Sequence, residues 1–251
     1  MYKIMDVHFM TVIIIIGTIM VPPIYALGTY VFSEASRTKG MQIGIAFLAF
    51  GSLMGWVCLS GVPRRLGLIG NLIVPVALIL PSLILYLRRN WFLSQRLSQK
   101  WLIGLQVFRV IGSVFLIEVA LGNIPAIFAY PAGIGDIFVA LVALTVLLRF
   151  RHMERIPWGA VLIVIVVGVL DFLSAFFFGF FSSETPLQLF FPAVPNTVVG
   201  FPTGMIPLFF VPYAIFFHTL SALNYDRYER AADGESRAEQ GAPADADKPR
   251  R

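Results

Sequence analysis

The sequence predicts an all-α fold: a polytopic membrane protein built as a bundle of seven transmembrane helices. Three observations lead there. Seven stretches are apolar almost throughout, at 9–32, 42–62, 66–87, 102–121, 131–150, 158–181 and 206–224. Each is close to the ~20 residues an α-helix needs to cross a ~30 Å hydrocarbon core, where the backbone must satisfy its own hydrogen bonds. The 251-residue chain is 58% hydrophobic and 13% charged, more apolar surface than a soluble domain of this size can hide. The charges that do occur collect between the apolar stretches and at the end of the chain.

Taken in order, the first stretch follows a weak basic region, Lys3 alone, and runs on without a small-residue cleavage site. It reads as a retained helix and not as a signal peptide. The second carries Cys58. A single cysteine excludes an intramolecular disulfide, a cysteine-based zinc site and a CxxC redox motif. A tight turn with Arg64 and Arg65 leads to the third. The fourth holds Arg109 and Glu118. The fifth, at 131–150, carries Asp136 near its outer end. The sixth contains Asp171 and the seventh His218.

Charge sorts the connections. The segments around 33–41, 88–101 and 149–155 carry nine Lys/Arg, against three for Lys3, Arg64 and Arg65 together, while 122–130 and 183–205 carry none. The positive-inside rule then gives an outside N-terminus, a cytoplasmic C-terminus and a multi-pass place in the inner (plasma) membrane. Residues 1–230 form the transmembrane domain. Residues 231–251, polar and without aromatics, read as a disordered cytoplasmic tail. From Tyr225 onward the chain has six Lys/Arg and seven Asp/Glu, so the whole positive excess sits in the membrane portion and flanks the bilayer. It is not a nucleic-acid patch, because no basic stripe is interleaved with exposed aromatics.

The connection 183–205 is apolar for a translocated loop, with Leu187, Leu189, Phe190 and Phe191, yet four prolines bar a continuous helix. It should be ordered, folded over the outer mouth of the bundle or set in the headgroup layer, with Phe190 and Phe191 buried.

Five ionisable residues fall within the spans: Arg109, Glu118, Asp136, Asp171 and His218. Each is costly against lipid and should face the bundle interior, a cavity or an interface. At about 1.5 Å per residue, Arg109 lies roughly 10 Å and His218 roughly 12 Å from the cytoplasmic edge, Asp171 about 20 Å and Glu118 about 24 Å. Side chains lean toward the N-terminus of their own helix, so Asp171 and His218 converge and are expected to pair. Structural readings stand beside the functional ones. Arg109 could snorkel to the headgroups, Glu118 could be a solvated helix-end carboxylate, Asp136 a first-turn acid, and Asp171 with His218 plain interhelical glue.

HExxH, GxSxG and Walker motifs are absent. The run from Gly133 to Asp136 is too short for a dinucleotide fingerprint; its glycines let the fifth helix start tightly against a neighbour. The three histidines lie at different depths, against a bis-His haem, and the seventh helix lacks the lysine a retinal Schiff base needs. No metal site and no cofactor is expected.

An ordered set of short motifs runs through 101–224: Arg109 to Gly112, Pro125 to Asp136, Gly168 to Asp171, Pro186 to Leu189, Pro195 with Asn196, Phe201 with Pro202, and Ile206 to Pro212 leading to His218. In these the chain resembles an uncharacterised family of bacterial multi-helix integral membrane proteins. The resemblance implies that Arg109, Asp136, Asp171, Asn196 and His218 belong to one shared pattern; it supplies no reaction. The first three helices match nothing in it.

The leading functional expectation is a polar cavity in the outer half of the bundle, lined by Asp136, Asp171 and Glu118 and lidded by 183–205. It would bind or transport a small molecule or cation, since three carboxylates outnumber one buried arginine. Arg109, Asn196 and His218 complete the candidate ligand-binding set. A non-catalytic sensory or assembly subunit is the alternative, and an intramembrane enzyme using Asp171 and His218 as acid and base comes third.

Overall fold

A computed structural model describes residues 37–94 and 97–225, with scattered positions between 12 and 28. The described residues are helical and contain six helices long and apolar enough to cross a membrane: α1 (Thr38–Ser60), α2 (Leu68–Leu87), α3 (Gln99–Ala120), α4 (Ala126–Arg149), α5 (Trp158–Phe181) and α6 (Ile206–Asn224). They correspond to the second through seventh predicted spans. The predicted first span at 9–32 and the predicted tail at 231–251 fall largely or wholly outside the described residues, and the seventh crossing and the placement of the termini go with them. Of the first span, Ile14 is buried in the main core.

The largest boundary difference is at α4, which starts at Ala126 and carries Pro131 inside it. Pro125 caps the helix from an extended conformation, so the first turn lies five residues before the predicted one. Asp136 is therefore not a first-turn acid. It sits about 15 Å into the helix at 1.5 Å per residue.

Two spans depart from α geometry, and both departures serve contacts. In α3 a 3₁₀ stretch, Val107–Ser113, follows a turn at residues 105–106. With three residues per turn, positions i and i+3 eclipse, so Gln106, Arg109 and Gly112 line up on one edge. That edge faces the bundle: Gln106 Nε2 donates to the Ala214 carbonyl of α6 at 3.3 Å. In α6 the first turn, Ile206–Phe210, is a wide π turn. Pro207 and Pro212 have no N–H to give to a regular ladder, and the wider turn accommodates the loss.

The basic connections gather at one end of the bundle. Lys100 Nζ donates to the Arg151 carbonyl at 3.0 Å, Lys39 lies over the Trp91 ring at 5.6 Å, and Asn224 Nδ2 reaches the Leu97 carbonyl at 3.0 Å. Gln99 joins this end by bonding Ser221. The uncharged connections meet at the other end, where Thr197 Oγ1 donates to the Asn123 carbonyl at 3.5 Å. Between them lies an aromatic core in which Phe47 of α1 sets its edge to Tyr213 and Phe216 of α6, at 4.7 and 5.0 Å between centroids. Outward faces stay apolar: Ile45, Leu59, Ile79, Ile134 and Leu170 are exposed. Apolar exposure on that scale around a whole bundle suits lipid and not water.

The 183–205 connection is ordered by its own polar groups. Asn196 Nδ2 donates to Ser182 Oγ at 2.8 Å and to the Gly179 carbonyl at 3.1 Å, and its Oδ1 accepts from the Val198 N–H at 3.1 Å. Thr203 Oγ1 closes the far side on the Val198 carbonyl at 3.2 Å. One expectation fails: Phe190 is only half-buried, against Phe177 and Phe178, and Phe191 is 79% exposed. Val198 is the buried apolar anchor instead. Phe191 points away from the bundle.

Asn196→Ala removes three hydrogen bonds at a buried clip and leaves the Val198 N–H without its acceptor. It should cost about 1–3 kcal/mol and open the loop to protease, whereas Phe191→Ser should do neither. Thermal unfolding and limited proteolysis in nanodiscs measure both, and equal sensitivity of the two variants would refute this account of the loop.

Candidate functional site

Arg109 organises the middle of the bundle. Its side chain starts from the 3₁₀ edge of α3 and is 2% exposed. Nε donates to Asp136 Oδ1 of α4 at 2.8 Å, and Nη2 bonds Asp171 Oδ2 of α5. Nη1 points at the Gly168 carbonyl, 3.5 Å away. The guanidinium carbon lies over the Phe172 ring, 3.8 Å from its centroid. Carboxylates and an aromatic ring are both partners that suit a guanidinium. Three helices are tied at one point, and with both acids ionised the cluster holds one negative charge in excess.

Glycines make the approach possible. A Cβ on Gly112 would collide with the Asp136 carboxylate, one on Gly135 with Asp171 Oδ1, and one on Gly168 with His218 Nε2. Each polar side chain thus occupies the space a neighbouring helix leaves by having no side chain of its own. Packing density in protein interiors leaves no slack for an added methyl at such points.

Asp171 and His218 do not pair as expected. The arginine takes the carboxylate because it lies buried inside the bundle and does not snorkel, and a guanidinium offers a stronger, bidentate-capable donor set than an imidazole. His218, 3% exposed, packs against Gly168 and sets its ring edge-on to Phe172 at 5.9 Å. Its Nε2 has no hydrogen-bond partner among the described residues. Glu118 stands apart near the end of α3: it is buried and accepts from Asn123 Nδ2 at 2.9 Å. Asn196 belongs to the loop clip. Of the six candidate residues, Arg109, Asp136, Asp171 and His218 come together, and Glu118 and Asn196 do not join them. Among the described residues no three His, Cys, Asp or Glu side chains could hold a metal ion.

A cavity of about 70 Å³ adjoins the ion cluster. Asp136 and Asp171 lie in its wall, with the rings of Phe115, Phe128, Phe172 and Phe176; Val198 and Val199 of the connection close it at the loop end. Phe172 is the site residue that sequence reasoning missed, although an aromatic next to a mid-span acid is a signal; the glycine pair beside Asp136 does mark a close approach, which Gly135 makes to Asp171.

A model described as Domain of unknown function (DUF8737) matches residues 67–223, well over half of the chain. The chain belongs to this family. The DUF8737 region takes in α2 to α6 and thus the whole ion cluster, its glycines and the loop clip, while α1 precedes it. It begins well before the 101–224 region of the motif resemblance. No curated protein and no solved structure matches the chain.

Gly135→Ala should push Asp171 off Arg109 and destabilise the protein by about 1–3 kcal/mol. Gly159→Ala, where a Cβ meets nothing within 4 Å, should be neutral. Thermal unfolding of both variants decides. A stable Gly135→Ala would contradict the close approach.

Proposed function

We propose that this DUF8737 protein is a multi-pass protein of the plasma membrane that binds a small cation, an ammonium group in particular, in the cavity beside Arg109, and that it serves transport of that cation. The observation carrying the reading is the composition of the cavity wall: two mid-span carboxylates among phenylalanine rings. Aromatic faces and an uncompensated carboxylate are the pairing that recognises ammonium ions. Arg109 neutralises one of the two acids. The excess negative charge then favours a cation over an anion in a medium where an unbalanced charge is costly. The volume, about 70 Å³, is roughly half that of the ~150 Å³ apolar cavity known to take up benzene, so it suits a head group more than a drug-sized molecule.

Orientation follows charge: the end where Lys39, Lys100 and Arg151 meet is cytoplasmic, and the 183–205 connection covers the cavity from the outside. A C-terminal fluorescent protein that matures only in the cytoplasm should fluoresce; a dark fusion with normal protein levels would reverse the orientation.

A second reading, an assembly or sensory subunit whose polar residues only hold helices together, is favoured by one observation: Arg109 is engaged by partners inside the bundle at Nε, Nη1 and Nη2. Binding separates the two. Purified protein in nanodiscs should bind tetramethylammonium saturably by calorimetry, and Asp171→Asn should weaken that binding by about tenfold or more, the scale of a lost charge contact. No saturable binding of tetramethylammonium or methylammonium by the wild type would leave the structural reading in place.

A further inference from the structure

Asp171 faces two ways. It lines the internal cavity, and it also lines a groove of about 560 Å³ on the outer surface between α4 and α5. The groove walls are Ile134, Gly135, Phe138, Leu170 and Ser174, and of these Ile134, Phe138 and Leu170 are more than half exposed. Asp171 Oδ2 is held by Arg109, while Oδ1 packs against Gly135, itself a residue of the groove. The acid lies about 20 Å along α5 from Trp158 and about 15 Å from Phe181, so the groove opens to hydrocarbon and not to either aqueous face. A carboxylate oxygen at the floor of a lipid-facing groove has no structural use that Arg109 does not already serve.

We infer that the cation reaches the site sideways from the bilayer and that it bears a hydrocarbon tail: the ligand is an amphiphilic amine or quaternary ammonium compound. Its head group sits in the groove against the Asp171 side of the α4–α5 seam, which Gly135 closes. Its tail lies along Ile134, Phe138 and Leu170. Charge selects it, because the Arg109–Asp136–Asp171 cluster has a carboxylate in excess and the groove offers no cation for an anionic head. The inference rests on the ammonium reading proposed above and adds the tail and the route.

The test compares two probes with the same head, tetramethylammonium and dodecyltrimethylammonium, on the full chain in nanodiscs of zwitterionic lipid. Wild type should bind the dodecyl probe about tenfold or more tightly than tetramethylammonium after correction for partition into protein-free nanodiscs, from the methylenes seated in the groove. Ser174→Phe fills the groove, and in that variant the two probes should bind alike; Ile134→Trp does the same where Ser174→Phe fails to fold. Wild type that binds both probes equally, or a preference that survives both groove variants, overturns the lateral route and leaves the ammonium site standing. Wild type that binds neither probe overturns the ammonium site and this inference with it. A disulfide-linked dimer formed readily through Ser174→Cys would assign the groove to a second copy of the chain, which also overturns it.

Discussion

A guanidinium cannot be deprotonated to escape an apolar interior, so a buried arginine obliges the surrounding chain to supply its counter-charge and its acceptors. Arg109 makes that demand at the middle of the bundle, and much of the structure answers it. The 3₁₀ stretch of α3 brings Arg109 onto the same edge as Gln106 and Gly112. α4 and α5 each deliver an aspartate, and the glycines at 112, 135 and 168 let the carboxylates and His218 come close. The early start of α4 at Ala126 puts Asp136 at the depth the arginine needs. Change any of these and an ion is left uncompensated, so the helices are coupled through charge as well as through shape.

The cluster also sets the character of the cavity. Two acids share one base at its wall, and the phenylalanine rings give the site a low-polarity frame in which charge is strongly felt. At the loop end, the Asn196 clip holds Val198 and Val199 over the same space. The Nε2 of His218, without a hydrogen-bond partner among the described residues, lies against Gly168, whose carbonyl Arg109 approaches. His218 is thus placed to feel any movement of the arginine.

The architecture was readable because length and hydropathy alone decide whether a segment spans lipid: α5 and α6 coincide with the predicted 158–181 and 206–224. The start of α4 was less readable: the apolar span opens at 131, whereas the helix begins at Ala126 after Pro125 and carries Pro131 inside it. The membership of the cluster was largely legible, because intramembrane charges must meet one another. The pairing was not. Depth placed Asp171 near His218, but the 3₁₀ geometry from which Arg109 reaches both acids leaves no trace in hydropathy. Phe191 was misread for a related reason: apolar character says that a side chain avoids water, not whether it is covered by protein or by lipid.

The central claim, that Arg109 with Asp136 and Asp171 forms one electrostatic unit on which the bundle depends, is tested most directly by a mutant cycle read in unfolding free energy. Arg109→Gln alone should cost about 3–5 kcal/mol, because two buried carboxylates lose their counter-ion. The triple variant Arg109→Gln, Asp136→Asn, Asp171→Asn should lose much less than that, since it removes the charges together. Additive losses, with the triple variant the least stable of all, would contradict the account.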